Sequence, residues 1–140
     1  MQTQNVASVS PLSTTRCVLV IDDEASVRLS MKAILGRRFE VVACANGPEA
    51  IQYASDHRGD VYAAFVDHGM PDMDGNLVCS ALRSLDATIT LIGFSGSEEA
   101  AFPQHIFARL LKKHITPELV LSLAATAVRL AEQLRHRKLG

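Results

Sequence analysis

Cysteine is scarce and unpatterned: Cys17, Cys44 and Cys79 lie far apart, each inside an apolar stretch. That excludes CxxC metal spacing and offers no disulfide framework, so all three read as small core residues of a chain kept in a reducing cytoplasm. Long apolar runs are missing too, and the first fifteen positions have neither a basic start nor an apolar centre. Nothing here spans or targets a membrane. Neither sign of charge dominates: 14 Lys and Arg stand against 15 Asp and Glu, giving a net charge of -1 and a pI near 6.5. There is no basic field to recruit nucleic acid. Internal repeats and low-complexity tracts are absent. The five histidines, His57, His68, His105, His114 and His136, share no helical spacing and no Cys partner, so they form no competing metal site.

What remains is the composition of an ordinary globular domain. The chain has 140 residues, 48% hydrophobic and 21% charged, a length that fits one domain and buries roughly two thirds of the unfolded surface. Residues 1–15 carry no charge and are rich in Gln, Ser, Thr and Asn, which predicts a mobile leader. The folded domain is expected over 16–135, followed by a basic tail over 136–140. Short apolar runs alternate with helical patterns, the signature of βα units and a parallel sheet. Strands are predicted near Cys17–Ile21, Val41–Ala45, Tyr62–Val66, Thr90–Phe94 and Ala108–Leu111, with five helices between and after them.

The helical stripes are Val27, Met31, Ile34 and Leu35; Ala50, Ile51 and Ala54; and Leu77, Val78, Ala81 and Leu82. The last helix starts with Thr116 as cap, Pro117 at its first position and Glu118 at the positive end of its dipole. It is predicted to run to about Arg135. Leu119, Leu123, Ala127, Leu130 and Leu134 line one face, which either packs on the sheet or serves a homodimer.

Chemistry concentrates at the predicted strand ends. Asp22 and Asp23 close the first strand, Asp67 the third, Ser95 the fourth, and Lys113 the fifth. In open α/β sheets ligands bind beyond the carboxyl ends of the strands, and the order 2-1-3-4-5 brings those five residues together. The fold class is therefore α/β, a doubly wound five-stranded parallel sheet of flavodoxin-like (βα)5 type. Carboxylates at the end of buried strands are costly to desolvate, and such a cluster suits a hard cation such as Mg²⁺. An ionised Asp67 beside that cation could attack a phosphoryl group, with Ser95 and Lys113 taking its oxygens. Taken singly, Asp22 or Asp23 could merely cap a helix and Asp67 merely form a turn; the five in register argue otherwise.

The segment Asp67-His-Gly-Met-Pro-Asp-Met-Asp-Gly75 resembles the phosphoacceptor loop of response-regulator receiver domains. So do Val18-Leu-Val-Ile-Asp-Asp-Glu24, Phe94-Ser95-Gly96 and Leu111-Lys-Lys-His-Ile-Thr-Pro-Glu-Leu119, and the similarity covers about residues 16–133. The resemblance implies that Asp67 is phosphorylated and that Asp23 and Asp67 bind Mg²⁺ directly, with Asp22 acting through water and Gly69 through its carbonyl. It makes Ser95 the hydroxyl that swings toward the phosphoryl group, and Lys113 the lysine; Lys112 is its neighbour, and Lys113 is preferred because Thr116-Pro117-Glu118 then follows at the family's usual distance. Gly69 and Ser97, two residues after Asp67 and Ser95, would tune the lifetime of the phosphorylated form.

Two positions depart from the family pattern. His114 stands where a proline usually follows the lysine, and Leu110 stands where an aromatic switch residue is usual, three positions before it. The stretch from Ser95 to Lys113 is also short and contains Pro103, which predicts a shortened fourth helix. The expected function is a phosphoacceptor in a two-component phosphorelay, served by a sensor histidine kinase or a histidine phosphotransfer protein and switching protein-protein contacts. No enzymatic output domain falls within these residues, so the expected catalysis is limited to the chain's own phosphorylation and dephosphorylation. The alternative is a receiver-like interaction module that works without phosphorylation.

Overall fold

The computed structural model describes residues 16–139. Five parallel strands are formed by β1 (Cys17–Ile21), β2 (Glu40–Cys44), β3 (Val61–Asp67), β4 (Thr90–Ser95) and β5 (Ala108–Leu111). Their order in the sheet is β2-β1-β3-β4-β5, as the sequence predicts. Leu19 pairs with Val42 on one side and Ala64 on the other, Phe65 with Ile92, and Phe94 with Leu110. All five residues of β1 and all six of β4 are buried, because a central parallel strand has helices on both faces.

Among the described residues four α-helices surround the sheet: α1 (Ala25–Leu35), α2 (Gly47–Asp56), α3 (Gly75–Leu85) and α4 (Pro117–Leu139). Three of these starts, those of α2, α3 and α4, carry a side-chain cap. The Asn46 side chain accepts from the Glu49 N–H at 2.8 Å while Glu49 Oε1 accepts from the Ala45 N–H at 3.1 Å, a reciprocal cap. Asp74 accepts from the Asn76 N–H at 2.8 Å at the head of α3, and Thr116 Oγ1 accepts from the Leu119 N–H at 3.2 Å at the head of α4. Two cores result, one per sheet face. Leu19, Val66, Leu91, Val78 and Leu82 fill the first; Val20, Phe65, Phe94, Met31 and Val120 fill the second. Phe65 and Phe94 meet edge to face at 6.3 Å, and truncating either to alanine would cost about 3 to 5 kcal/mol.

Two expectations need correction. The shortened fourth helix is absent: between β4 and β5 residues 96–107 form only bends and turns. Pro103 denies the segment a helical hydrogen bond, and a different packing takes over. The Phe102 ring lies against the β4 backbone at Gly93, where an added Cβ would come within 2.8 Å of it. The helix expected as the fifth is thus α4, and it runs on to Leu139 rather than stopping near Arg135. Its end is anchored by Arg135, which stacks on Tyr62 at 3.6 Å and donates to the Gly59 and Val61 carbonyls. Among the described residues, Val120, Ala124, Ala127, Val128 and Ala131 are the buried ones of α4, a face offset from the predicted one: of the predicted stripe only Ala127 is buried, and Leu119 and Leu134 are exposed. No helix among the described residues is long and apolar enough to cross a membrane. The predicted leader over 1–15 lies outside the described residues.

Candidate functional site

The carboxyl ends of β1, β3, β4 and β5 open into one cleft of about 590 Å³. Asp67 ends β3 with its side chain 3% exposed as a residue, Asp22 follows β1 fully buried, and Asp23 lies exposed at the rim. One carboxylate oxygen from each of the three lies within 4.8 Å of the others. Like charges this close, out of water, are unfavourable unless something compensates. Asp67 shows the consequence. Burial, then repulsion from Asp22, push its carboxyl above the usual range, against the pull of the Gly69 N–H and the Lys112 ammonium.

The compensating cation is Lys112, not Lys113. Its Nζ lies 2.9 Å from Asp22 Oδ2, 3.1 Å from Glu24 Oε1 and 3.4 Å from Asp67 Oδ2. Burial works against its charge, yet its contacts with Asp22 and Glu24 and the attraction of Asp67 outweigh this and raise its pKa. Lys113 is exposed and does not line the cleft. Strand alternation explains the register: Leu110 points into the core, so Lys112, two residues on, continues toward the same face and Lys113 faces away. Lys112 to His114 then form a 3₁₀ turn. Glu24, exposed at the rim, shares the lysine.

Leu110 occupies the position where an aromatic switch residue is usual. It is 3% exposed and packed in the core cluster with Ile92, Phe94 and Val120. Its neighbour Arg109 is the side chain that reaches the loop after β4. Ser95, Ser97 and Gly69 do line the cleft as expected, together with His68 and Glu99. The Ser95 hydroxyl donates to the Ser97 carbonyl and accepts from the Ser97 N–H, both at 2.9 Å, so it rests on its own loop. Gly69 N–H donates to Asp67 Oδ1 at 3.2 Å. Gly75 explains how α3 can start so near: a Cβ there would meet the Asp67 carbonyl oxygen at 2.6 Å. Asp74 and Gly75 thus shape the turn into α3.

The donor set fits a hard divalent cation. All three ligands are carboxylates, two buried and one at the rim where waters can remain. Asp22 Oδ2 adds a second sign. Although the ammonium is 2.9 Å away, no hydrogen bond of acceptable angle reaches this buried oxygen. The contact is a charge pair, and this oxygen keeps its hydrogen-bond acceptor capacity. Asp22 Oδ1 is engaged differently, accepting from the Glu24 N–H at 2.8 Å to shape the entry to α1.

Comparison with known proteins agrees with this geometry. Residues 18–125 match the family model described as response regulator receiver domain. The chain is 30% identical over 127 residues to the sensor kinase CckA of Brucella abortus, covering 90% of this chain and 13% of that protein. It is 36% identical over 77 residues to the chemotaxis protein CheY of Bacillus subtilis, covering 54% of this chain and 62% of that one. The chain thus spans less than two thirds of either relative. Among solved structures, a CheY-like receiver domain protein from Methanospirillum hungatei superposes with a TM-score of 0.75 at 20% identity, covering 86% of this chain and 98% of that chain. The receiver domain of the hybrid histidine kinase CckA superposes at 0.68 with 25% identity, covering 80% and 98%. With the family match spanning most of the fold and the acidic cleft at the switch point of its sheet, this chain belongs to the response regulator receiver domain family.

Proposed function

We propose that Asp67 accepts a phosphoryl group from a phosphohistidine on a partner kinase or phosphotransfer protein, and that the adduct switches protein-protein contacts. The observation that carries this reading is the cleft itself: three carboxylates within 4.8 Å, with a lysine 3.4 Å from one of them. As the P–N bond to the donor imidazole breaks, its electron pair returns to the ring and a P–O bond forms to an Asp67 carboxylate oxygen. Hydrolysis later puts a water oxygen on phosphorus, frees inorganic phosphate and restores the carboxylate. Mg²⁺, held by Asp23, Asp67, the Gly69 carbonyl and, through water, Asp22, would neutralise charge on the phosphoryl oxygens.

The protein's own groups do the rest. Lys112 offers its ammonium to a phosphoryl oxygen, and its partnership with Glu24 keeps it at the cleft. Ser95 is the hydroxyl that moves to a second oxygen. Gly69 and Ser97 border the cleft where attacking water must pass, and they set the adduct's lifetime. The catalysis ends with the chain's own phosphorylation and dephosphorylation. A cytoplasmic setting is supported by Cys17, Cys44 and Cys79, which are buried and form no disulfide among the described residues.

The test uses phosphoramidate, a small P–N donor, with and without Mg²⁺, followed by intact-mass measurement. One phosphoryl group should be added, only with Mg²⁺ present. No adduct would favour the other reading, an interaction module that has kept the fold and works without phosphorylation.

A further inference from the structure

The loop that replaces a helix between β4 and β5 is fastened at three points, and one of them is a cation. Arg109, on β5 directly opposite Gly93, donates through Nη2 to the Glu98 carbonyl at 2.9 Å and the Ala100 carbonyl at 2.5 Å. Its guanidinium also lies 5.8 Å from the centre of the Phe102 ring, which rests on Gly93 and meets the His68 ring edge on at 5.1 Å. His68 directly follows Asp67 in the chain. The same loop supplies Gly96, Ser97, Glu99 and Ala100 to the wall of the acidic cleft.

The third fastening is Ser95. A hydroxyl has a single proton to donate, and here it is given to the Ser97 carbonyl. Donation to anything in the cleft therefore requires that bond to break, which frees the Ser97 end of a loop whose next residues are gripped by Arg109. A rigid grip at Glu98 and Ala100 keeps the Ser97 carbonyl within reach of Ser95 and so favours the resting position of the hydroxyl.

We propose that Arg109 is a positioning residue for phosphoryl capture: it clamps the 98–100 turn and thereby holds Ser95 away from the cleft until a phosphoryl group draws it in. This rests on the assignment of Asp67 as acceptor. Linkage makes the coupling reciprocal, because whatever opens the clamp must favour the occupied site, and an occupied site must loosen the clamp.

The test combines Arg109→Ala and Arg109→Lys, beryllofluoride with Mg²⁺ as the phosphoryl mimic, and hydrogen exchange followed over 96–107. Arg109 is exposed, so its loss empties no core position. In resting Arg109→Ala, exchange over 98–102 should quicken, and beryllofluoride should bind at least about fivefold more tightly than to the wild type. Arg109→Lys should restore most of both. In the wild type, beryllofluoride should itself quicken exchange over 98–102. A merely structural role would lower the melting temperature but leave affinity unchanged or weaker, and that result overturns the proposal. Unchanged exchange in resting Arg109→Ala overturns the clamp whatever Asp67 does. A wild type that neither binds beryllofluoride nor takes a phosphoryl group overturns the reading of Asp67, and the clamp's role with it.

Discussion

Asp67→Asn should stabilise the protein when no divalent cation is present and destabilise it, relative to wild type, when one is. At an effective dielectric near 20, Lys112 at 3.4 Å attracts a charged Asp67 by about 5 kcal/mol. Asp22, within 4.8 Å, repels it by about 3.5 kcal/mol or more. The two largely offset each other. What decides is desolvation, several kcal/mol for an ion this buried. That ranking matches the cause of the raised Asp67 pKa, in which burial comes first. Asparagine keeps the shape and can still accept from the Gly69 N–H, so the net relief should be about 1 to 2 kcal/mol, a rise of roughly 3 to 8 °C in melting temperature for a domain of this size.

The pH dependence has a definite sign. With its folded-state pKa raised above 3.8, Asp67 binds its proton more tightly in the folded state than in the unfolded one. Stability in EDTA should therefore fall as pH rises from about 3.8 through the raised value, and Asp67→Asn should lack that decline. Adding Mg²⁺ at a hundred times its dissociation constant gives the wild type about 2.7 kcal/mol, and the variant, missing a ligand, much less. Thermal unfolding by circular dichroism suits a chain with no Trp. An Asp67→Asn protein that melts several degrees below wild type in EDTA would refute the reasoning, because the Lys112 pair would then outweigh both burial and repulsion.

The lysine assignment separates cleanly. Lys112→Ala should slow phosphorylation by phosphoramidate by about a hundredfold, whereas Lys113→Ala should stay within about threefold of wild type, measured by intact mass over time. The reverse result would restore the register expected from sequence spacing. Gly75→Ala pushes a methyl to 2.6 Å from the Asp67 carbonyl, so urea unfolding should show a loss of about 1 to 3 kcal/mol. The cysteine thiols are 3% exposed or less, and burial pushes each up to about 11. A disulfide reagent at pH 8 should label them only as fast as the protein opens, with all three reacting at once in denaturant.

Much of the architecture was legible because buried parallel strands are written as apolar runs. Cys17–Ile21 and Ala108–Leu111 match their predicted limits, Thr90–Ser95 differs by one residue at one end, and Glu40–Cys44 and Val61–Asp67 differ by one residue at each end. Polar residues that close such runs mark the functional edge of the sheet, which is why Asp22, Asp23, Asp67 and Ser95 could be grouped before any coordinates. Two adjacent lysines defeated the same logic. Counting back from Thr116 favours Lys113, but side-chain direction is set by alternation from Leu110, whose place in the core fixes Lys112 toward the cleft. The absent helix was only half visible. Pro103 warns against a long one, yet nothing local says that Phe102 will lie on Gly93 or that Arg109 will hold the turn, because those contacts join residues far apart in pattern.

The claim on which the rest depends is that Asp67 carries the phosphoryl group. Treating the protein with phosphoramidate and Mg²⁺, reducing with borohydride and mapping peptides by mass spectrometry would test it directly, since reduction of an acyl phosphate converts that aspartate to homoserine. We expect homoserine at position 67, and none in Asp67→Asn. Homoserine at Asp22 or Asp23, or an adduct of undiminished amount in Asp67→Asn, would contradict the account.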